Sequence, residues 1–138
     1  MTVQEMSADE EAIRKLDAEW SDAASGGVAN LDKVVAFYAP NGSTVWPGAP
    51  AAHGTKNIRK AWKNAFESFK DLKLKFGPTR IEVSQGGDMA SDFGKVAMEY
   101  TKPRKGRVKE QAKYVVVWIK VDGAWKVLYD CYNSNSEA

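Results

Sequence analysis

Cysteine and histidine are almost missing: the 138 residues hold one of each, Cys131 and His53. One cysteine excludes an internal disulfide framework and any zinc site built on several thiolates. One histidine excludes a two-histidine metal motif and rests any Ser-His-Asp arrangement on a single residue. Neither sign of charge dominates. Twenty Lys and Arg against 18 Asp and Glu leave a net charge of +2, a balance that argues against a dedicated nucleic-acid or membrane-surface binder. No apolar run nears the roughly 18 residues of a membrane span. The polar, acidic start MTVQEMSADEE lacks the pattern of a signal peptide, so a cytoplasmic location is expected. Internal repeats, low-complexity tracts and linkers are also absent. The remaining composition, 43% hydrophobic and 28% charged, is that of a globular chain. One domain over 1–138 is expected, with its core at about 7–134, large enough to fold without metal or disulfide.

Helical signals fill the first half. Ser7 and Glu10 have capping-box spacing, and Ile13, Leu16, Trp20 and Ala24 recur at helical intervals until Gly26-Gly27. Asn30 caps a short second helix with Leu31, Val34, Val35 and Tyr38, stopped by Pro40 and Asn41-Gly42. A short strand is expected at 43–46, then a loop through Pro47-Gly48-Ala49-Pro50 and His53-Gly54. Thr55 is the expected cap of a third helix, whose stripe is Ile58, Ala61, Trp62, Ala65, Phe66 and Phe69. After Lys70 the period becomes two. Leu72, Leu74, Phe76, then Ile81 and Val83, alternate around Pro78, and Gly86-Gly87-Asp88 makes a turn. Strands follow at about 89–101, 111–121 and 124–133, the last two joined by Asp122-Gly123, a strong hairpin signal. Helices followed by a meander of strands is an α+β plan.

A two-residue turn at Asp122-Gly123 pairs Val121 with Ala124 and sets the rest of the register. Carried through without interruption, it puts Lys113, Val115, Val117 and Ile119 on one face with Tyr132, Asp130, Leu128 and Lys126. The other face receives Tyr114, Val116, Trp118, Trp125, Val127, Tyr129 and Cys131. Both faces are apolar, so both are expected to be covered. The helices cover one. A second copy of the chain is expected on the other, through Tyr114, Trp118, Trp125 and Tyr129, with Cys131 an inert apolar residue there. Asp130, in an apolar cup with Lys113 diagonally across, is either a tuned acid/base group or half of a structural ion pair.

The segments 30–38 (NLDKVVAFY), 43–48 (STVWPG), 53–58 (HGTKNI), 121–127 (VDGAWKV) and 130–134 (DCYNS) occur in an order that resembles the nuclear transport factor 2-like superfamily. The likeness is to its SnoaL-like and ketosteroid-isomerase-like branch, over roughly residues 9–134. It implies a cone-shaped (cystatin-like) roll, with three N-terminal helices packed in a strongly curved, mostly antiparallel sheet. A deep pocket opens at one end, and dimers form through the outer sheet face. The three catalytic positions of the ketosteroid isomerases fall at Trp20, Trp46 and Val117. None keeps the required side chain, which excludes steroid isomerisation by that mechanism. The last-strand aspartate of SnoaL-like cyclases matches Asp130, whereas their partner histidine has no counterpart in 113–118 (KYVVVW); Lys113 or Tyr132 is the available substitute.

The candidate catalytic residues are therefore Asp130, Lys113 and Tyr132. The candidate substrate-binding residues are Trp20, Trp46, His53, Trp62, Val115, Val117, Leu128 and Asn133, with His53 at the pocket rim or solvated. The basic loop of Lys102, Arg104, Lys105, Arg107 and Lys109 has no interleaved aromatic platform, so it reads as a solvated hairpin tip. Gly86-Gly87 joins two strands and is no phosphate loop. Two functions fit: a dimeric small-molecule-binding pocket without catalysis, or a cofactor-free acid/base enzyme acting on a compact apolar or aromatic substrate. Neither calls for a cofactor, a metal, nucleic acid or a membrane.

Overall fold

The computed structural model describes residues 3–136, with side chains from residue 8 onward. The order is α1 (Val3–Ser25), a 3-10 turn (Gly27–Asn30), α2 (Leu31–Val35), β1 (Tyr38–Val45), β2 (Ala52–His53), α3 (Gly54–Ser68), β3 (Lys70–Val83), β4 (Met89–Lys102), β5 (Gly106–Val121) and β6 (Ala124–Ser134). The strands form one curved sheet in the order β2-β1-β6-β5-β4-β3. All neighbours are antiparallel except β1 and β6, which run parallel. This is the expected α+β roll. Among the described residues no helix is long and apolar enough to cross a membrane.

Four local expectations change. Thr55 does not cap α3, which begins at Gly54 with His53 at the cap position and no side-chain cap bond. The helix α1 is already formed at Val3, so Ser7 lies within it and does not cap it. Asn30 makes no cap bond to α2; its side-chain amide donates to Ala23 O at 3.1 Å, closing the exposed carbonyl end of α1. The segment 38–42 is not a helix end but the start of β1. Pro40 cannot donate to a ladder, and the β1–β6 register is broken between Tyr38 and Ser43. Gly42 fits this irregular stretch because a Cβ there would stand 2.8 Å from Val127 O. The Asp122-Gly123 turn forms as expected, with both residues at positive φ, 51° and 82°.

The core lies between the helices and the concave face of the sheet. The α1 stripe buries Ile13, Trp20 and Ala24, and α3 buries Ile58, Trp62 and Phe66. From the sheet come Ala90, Val96, Met98, Tyr100, Ala112, Tyr114, Val116, Trp118, Trp125 and Val127. Tyr114, Trp118 and Trp125 are thus 4%, 0% and 6% exposed inside one chain, which corrects their assignment to an outer dimer face. Of that quartet only Tyr129 faces outward, at 49%.

Tyr114, Trp118 and Trp125 lie on the face that the helices cover; a second change comes from one residue of β6. Pairing runs as expected from Val121↔Ala124 to Trp118↔Val127, then slips, so that Val117 pairs with Tyr129 and Val116 with Asp130. Leu128 is the extra residue of a β-bulge. A one-residue slip moves every later side chain to the other face of the sheet. Asp130 and Tyr132 therefore turn inward beside Tyr114 and Val116. Cys131 and Asn133 turn outward, onto the face that carries Lys113, Val115 and Val117 of β5. The convex face carries a cross-strand row Val45–Cys131–Val115–Phe93, and Val45, Met89, Phe93, Val115 and Tyr129 there are each 43–50% exposed.

Candidate functional site

Between α3, the 47–53 loop and the concave sheet lies a cavity of about 700 Å³. It exists because α3 presents Ala61 and Ala65 toward the sheet instead of large side chains. Its walls are aromatic and aliphatic: Trp20, Trp46 and Trp62, with Phe69, Leu72, Leu74, Phe76, Val96, Met98 and Val116. Asp130 stands in this wall, 6% exposed.

Three elements hold that carboxylate. Tyr38, at the start of β1, donates its hydroxyl to Asp130 Oδ2. Trp46, just past β1, donates its indole N–H to the same oxygen at 3.3 Å. Trp62 of α3 donates in turn to the Tyr38 hydroxyl at 3.0 Å. The result is a directed chain of donors, each polarising the next, that ends on one carboxylate oxygen. Both direct bonds land on Oδ2, which leaves Oδ1 without a side-chain donor among the described residues, on a residue that lines the cavity. Burial pushes the Asp130 pKa up to about 6; the bonds from Tyr38 and Trp46 oppose that rise. Near neutral pH the group is a carboxylate of raised basicity in an apolar chamber. Burial, then Asp130 itself, holds the Tyr38 phenol well above its ordinary pKa, so it remains a donor.

A second buried acid system lies behind the wall. Tyr114 lines the cavity and its hydroxyl donates to Asp92 Oδ1 at 3.0 Å, while Trp118 donates to Asp92 Oδ2 at 3.0 Å. Asp17 of α1 stands against Asp92; both are fully buried. Neither oxygen of Asp17 meets a donor, nor does the Trp20 indole N–H meet an acceptor. Burial, and then Asp92, push the Asp17 pKa up to about 10, so Asp17 is a neutral acid at physiological pH.

Of the residues expected at the site, Asp130, Tyr132, Trp20, Trp46, Trp62 and His53 line the cavity. His53 is exposed, and its Nδ1 lies 2.6 Å from Ser43 Oγ. The other five do not reach it. Lys113 is on the opposite face from Asp130 and donates to Ser134 O at 2.9 Å, so the expected ion pair does not form. Val115, Val117 and Asn133 share that outer face, and Leu128 sits at the bulge. The bulge explains why Leu128 and Asn133 miss the cavity and why Asp130 parts from Lys113; Lys113, Val115 and Val117 miss it because they lie on the face of β5 that the helices leave uncovered. Tyr38, Asp17, Asp92 and Tyr114 were not foreseen. Asp17 carried a signal, since it interrupts the apolar stripe of α1 between Ile13 and Trp20. Asp92 did too, falling in phase with Ala90, Val96 and Met98. Among the described residues no group of three or more His, Cys, Asp or Glu could hold a metal ion.

No curated protein sequence matches the chain. Solved structures match it in fold. An NTF2-like protein with a cystatin-like fold from Novosphingobium aromaticivorans superposes with a TM-score of 0.82 at 14% identity, covering 98% of this chain and 87% of that one. A ketosteroid isomerase-like protein from Erwinia carotovora atroseptica gives 0.75 at 20% identity, covering 99% and 100%. A hexachlorocyclohexane dehydrochlorinase from Novosphingobium barchaimii gives 0.78 at 15% identity, covering 94% and 88%. In sequence, the SnoaL-like domain matches residues 5–129. With the roll, the parallel β1–β6 pair and the inward last-strand aspartate already in place, the chain belongs to the SnoaL-like domain family.

Proposed function

We propose that this protein binds a compact, ring-bearing small molecule in the cavity between α3 and the concave sheet. One observation carries the reading: a chamber of about 700 Å³ walled by tryptophans is lined by one buried carboxylate, Asp130, whose Oδ1 takes no side-chain donor among the described residues. An apolar cavity with few convergent polar groups is the usual form of a ligand site. The bound molecule must supply a partner to Asp130 Oδ1, a hydrogen-bond donor or a positive charge, because a desolvated carboxylate oxygen without one is costly. Tyr132, half-buried in the same wall, is the second polar group within reach of a ligand.

A second reading is favoured by the basicity of Asp130. A carboxylate with a pKa of about 6 can take a proton from a weakly acidic C–H or O–H and return it, which is the work of a cofactor-free isomerase or dehydratase. Asp130 would be the general base, and the Tyr38–Trp46–Trp62 set would position it.

The outer sheet face supports a homodimer. Val45, Met89, Phe93, Val115 and Tyr129 form an exposed apolar field, with Cys131 half-buried among them, of the kind that marks an interface.

A screen of ring-bearing fragments by tryptophan fluorescence and thermal shift tests the binding reading. Hits should bind the native protein and lose affinity at least about tenfold in Ala65→Phe, which fills the chamber from α3. Hits that bind this variant unchanged overturn the assignment. Ketone hits incubated in D2O then test catalysis: deuterium uptake should be accelerated and should be lost in Asp130→Asn. Binding without uptake leaves the pocket reading alone.

A further inference from the structure

Among the described residues, the cavity and the wall behind it contain acids but no buried base. Asp130 faces the chamber, Asp92 stands behind Tyr114, and Asp17 stands against Asp92. The ion pairs among the described residues, Arg14–Glu10, Arg59–Asp32, Arg80–Glu82, Arg107–Glu99 and Lys120–Asp9, involve none of these three. The only lysine or arginine lining the chamber is Lys60, which is exposed on α3. Asp92 has both oxygens covered by neutral donors, and Asp17 holds its proton. Asp130 alone carries an ionised oxygen toward the ligand space. Buried charges in proteins are normally paired, and the missing partner has to come from outside.

The surroundings of that oxygen suit one kind of partner. Trp46 and Trp62 meet at 87° with ring centroids 5.0 Å apart, and Tyr132 meets Trp46 at 66° and 6.0 Å. The N–H edges of both indoles are already engaged by Asp130 and Tyr38. The rings therefore add π surface to the chamber, and π faces attract cations. Trp46, Trp62 and Tyr132 line the same chamber as the carboxylate, and aromatic surface beside a carboxylate suits an ammonium group. Anions are disfavoured by Asp130.

We infer that the ligand of this cavity is an organic cation, an amine or quaternary ammonium on an apolar ring, its charge seated against Asp130 Oδ1 and the faces of Trp46, Trp62 and Tyr132. This rests on the reading of the cavity as a binding site and adds the charge of what it binds. Two probes of equal shape test it: benzyltrimethylammonium, and neopentylbenzene, in which carbon replaces the charged nitrogen. Affinities are measured by tryptophan fluorescence on the native protein, on Asp130→Asn and on Tyr132→Leu. The cation should bind the native protein at least about tenfold tighter than its isostere. Asp130→Asn should erase that preference without weakening neopentylbenzene, and Tyr132→Leu should reduce it severalfold. Equal affinities for the two probes, or a preference that survives Asp130→Asn, overturn the inference and leave the binding site standing. Failure of both probes to bind also overturns this inference, while the binding reading stands or falls on the fragment screen.

Discussion

Replacing Asp130 by asparagine should make the protein more stable, and the size and pH dependence of the gain can be worked from the structure. The carboxyl moves from 3.8 to about 6 on folding, chiefly through burial. Each pKa unit is about 1.4 kcal/mol, so holding this group ionised in the fold costs at most about 3 kcal/mol. Asparagine keeps the shape, and its carbonyl oxygen can accept from Tyr38 and Trp46, but it carries no charge to desolvate. A raised carboxyl pKa means that the folded state binds the proton more tightly than the unfolded chain. Stability is therefore lost as pH rises from about 4 to about 6 and is constant above that. The stability difference between Asp130→Asn and the native protein should grow through that window and then level off. At pH 7 a gain of about 1–3 kcal/mol raises Tm by roughly 3–10 °C in a chain of this length. Thermal unfolding followed by circular dichroism at pH 4, 5, 6 and 7 reads the curve directly. An ion-paired structural aspartate gives the opposite sign. A variant that melts several degrees below the native protein at pH 7 refutes the account of Asp130 as a charge held at a cost in stability.

Three further outcomes follow from the same geometry. Asp17, with a folded pKa of about 10 against 3.8, withdraws stability as pH rises from about 4 to about 10. Asp17→Asn should flatten the fall in Tm between pH 7 and 9, a range where Asp130 no longer titrates, and should raise stability at pH 8 by a few kcal/mol; an unchanged slope counts against the buried acid pair. Tyr38→Phe removes a donor that lowers the Asp130 pKa and strands the Trp62 N–H. It should move the Asp130 titration upward in a carboxyl 13C NMR experiment and cost about 1–3 kcal/mol by denaturant melting; a titration that stays in place means Tyr38 does not engage Asp130. Val115→Arg, on a side chain 49% exposed in one chain, should leave the fold intact and convert a sedimenting dimer to a monomer; a dimer that persists places the interface elsewhere.

Most of the fold was legible because its signals are local and repeated. The spacing of Ile13, Leu16, Trp20 and Ala24 could form only a helix with one buried side. The alternation after Lys70 could form only strands, and Asp122-Gly123 fixed where the last two turn. The errors fell where a tertiary partner overrides local preference. Residues 36–42 follow a short helix and contain Pro40, so nothing nearby says that Tyr38 enters a strand. Parallel pairing with β6, a partner some ninety residues away, decides it.

The tryptophan wall and the carboxylate of the candidate site were legible; which face of the sheet the helices cover, and where β6 slips, were not. A register counted outward from a turn is reliable until the first extra residue, and nothing in Val127-Leu128-Tyr129 marks Leu128 as one. Had no bulge formed, Asp130 and Tyr132 would have faced outward, away from the helices, while the cavity kept its tryptophans without a carboxylate. The bulge is thus what joins the two halves of the site. It turns Asp130 inward to Tyr38 and Trp46, and it also turns Tyr129 and Cys131 outward to complete the apolar face with Val115 and Phe93. One inserted residue therefore sets both the polarity of the chamber and the hydrophobicity of the outer sheet. Deleting Leu128 would be felt on both faces at once.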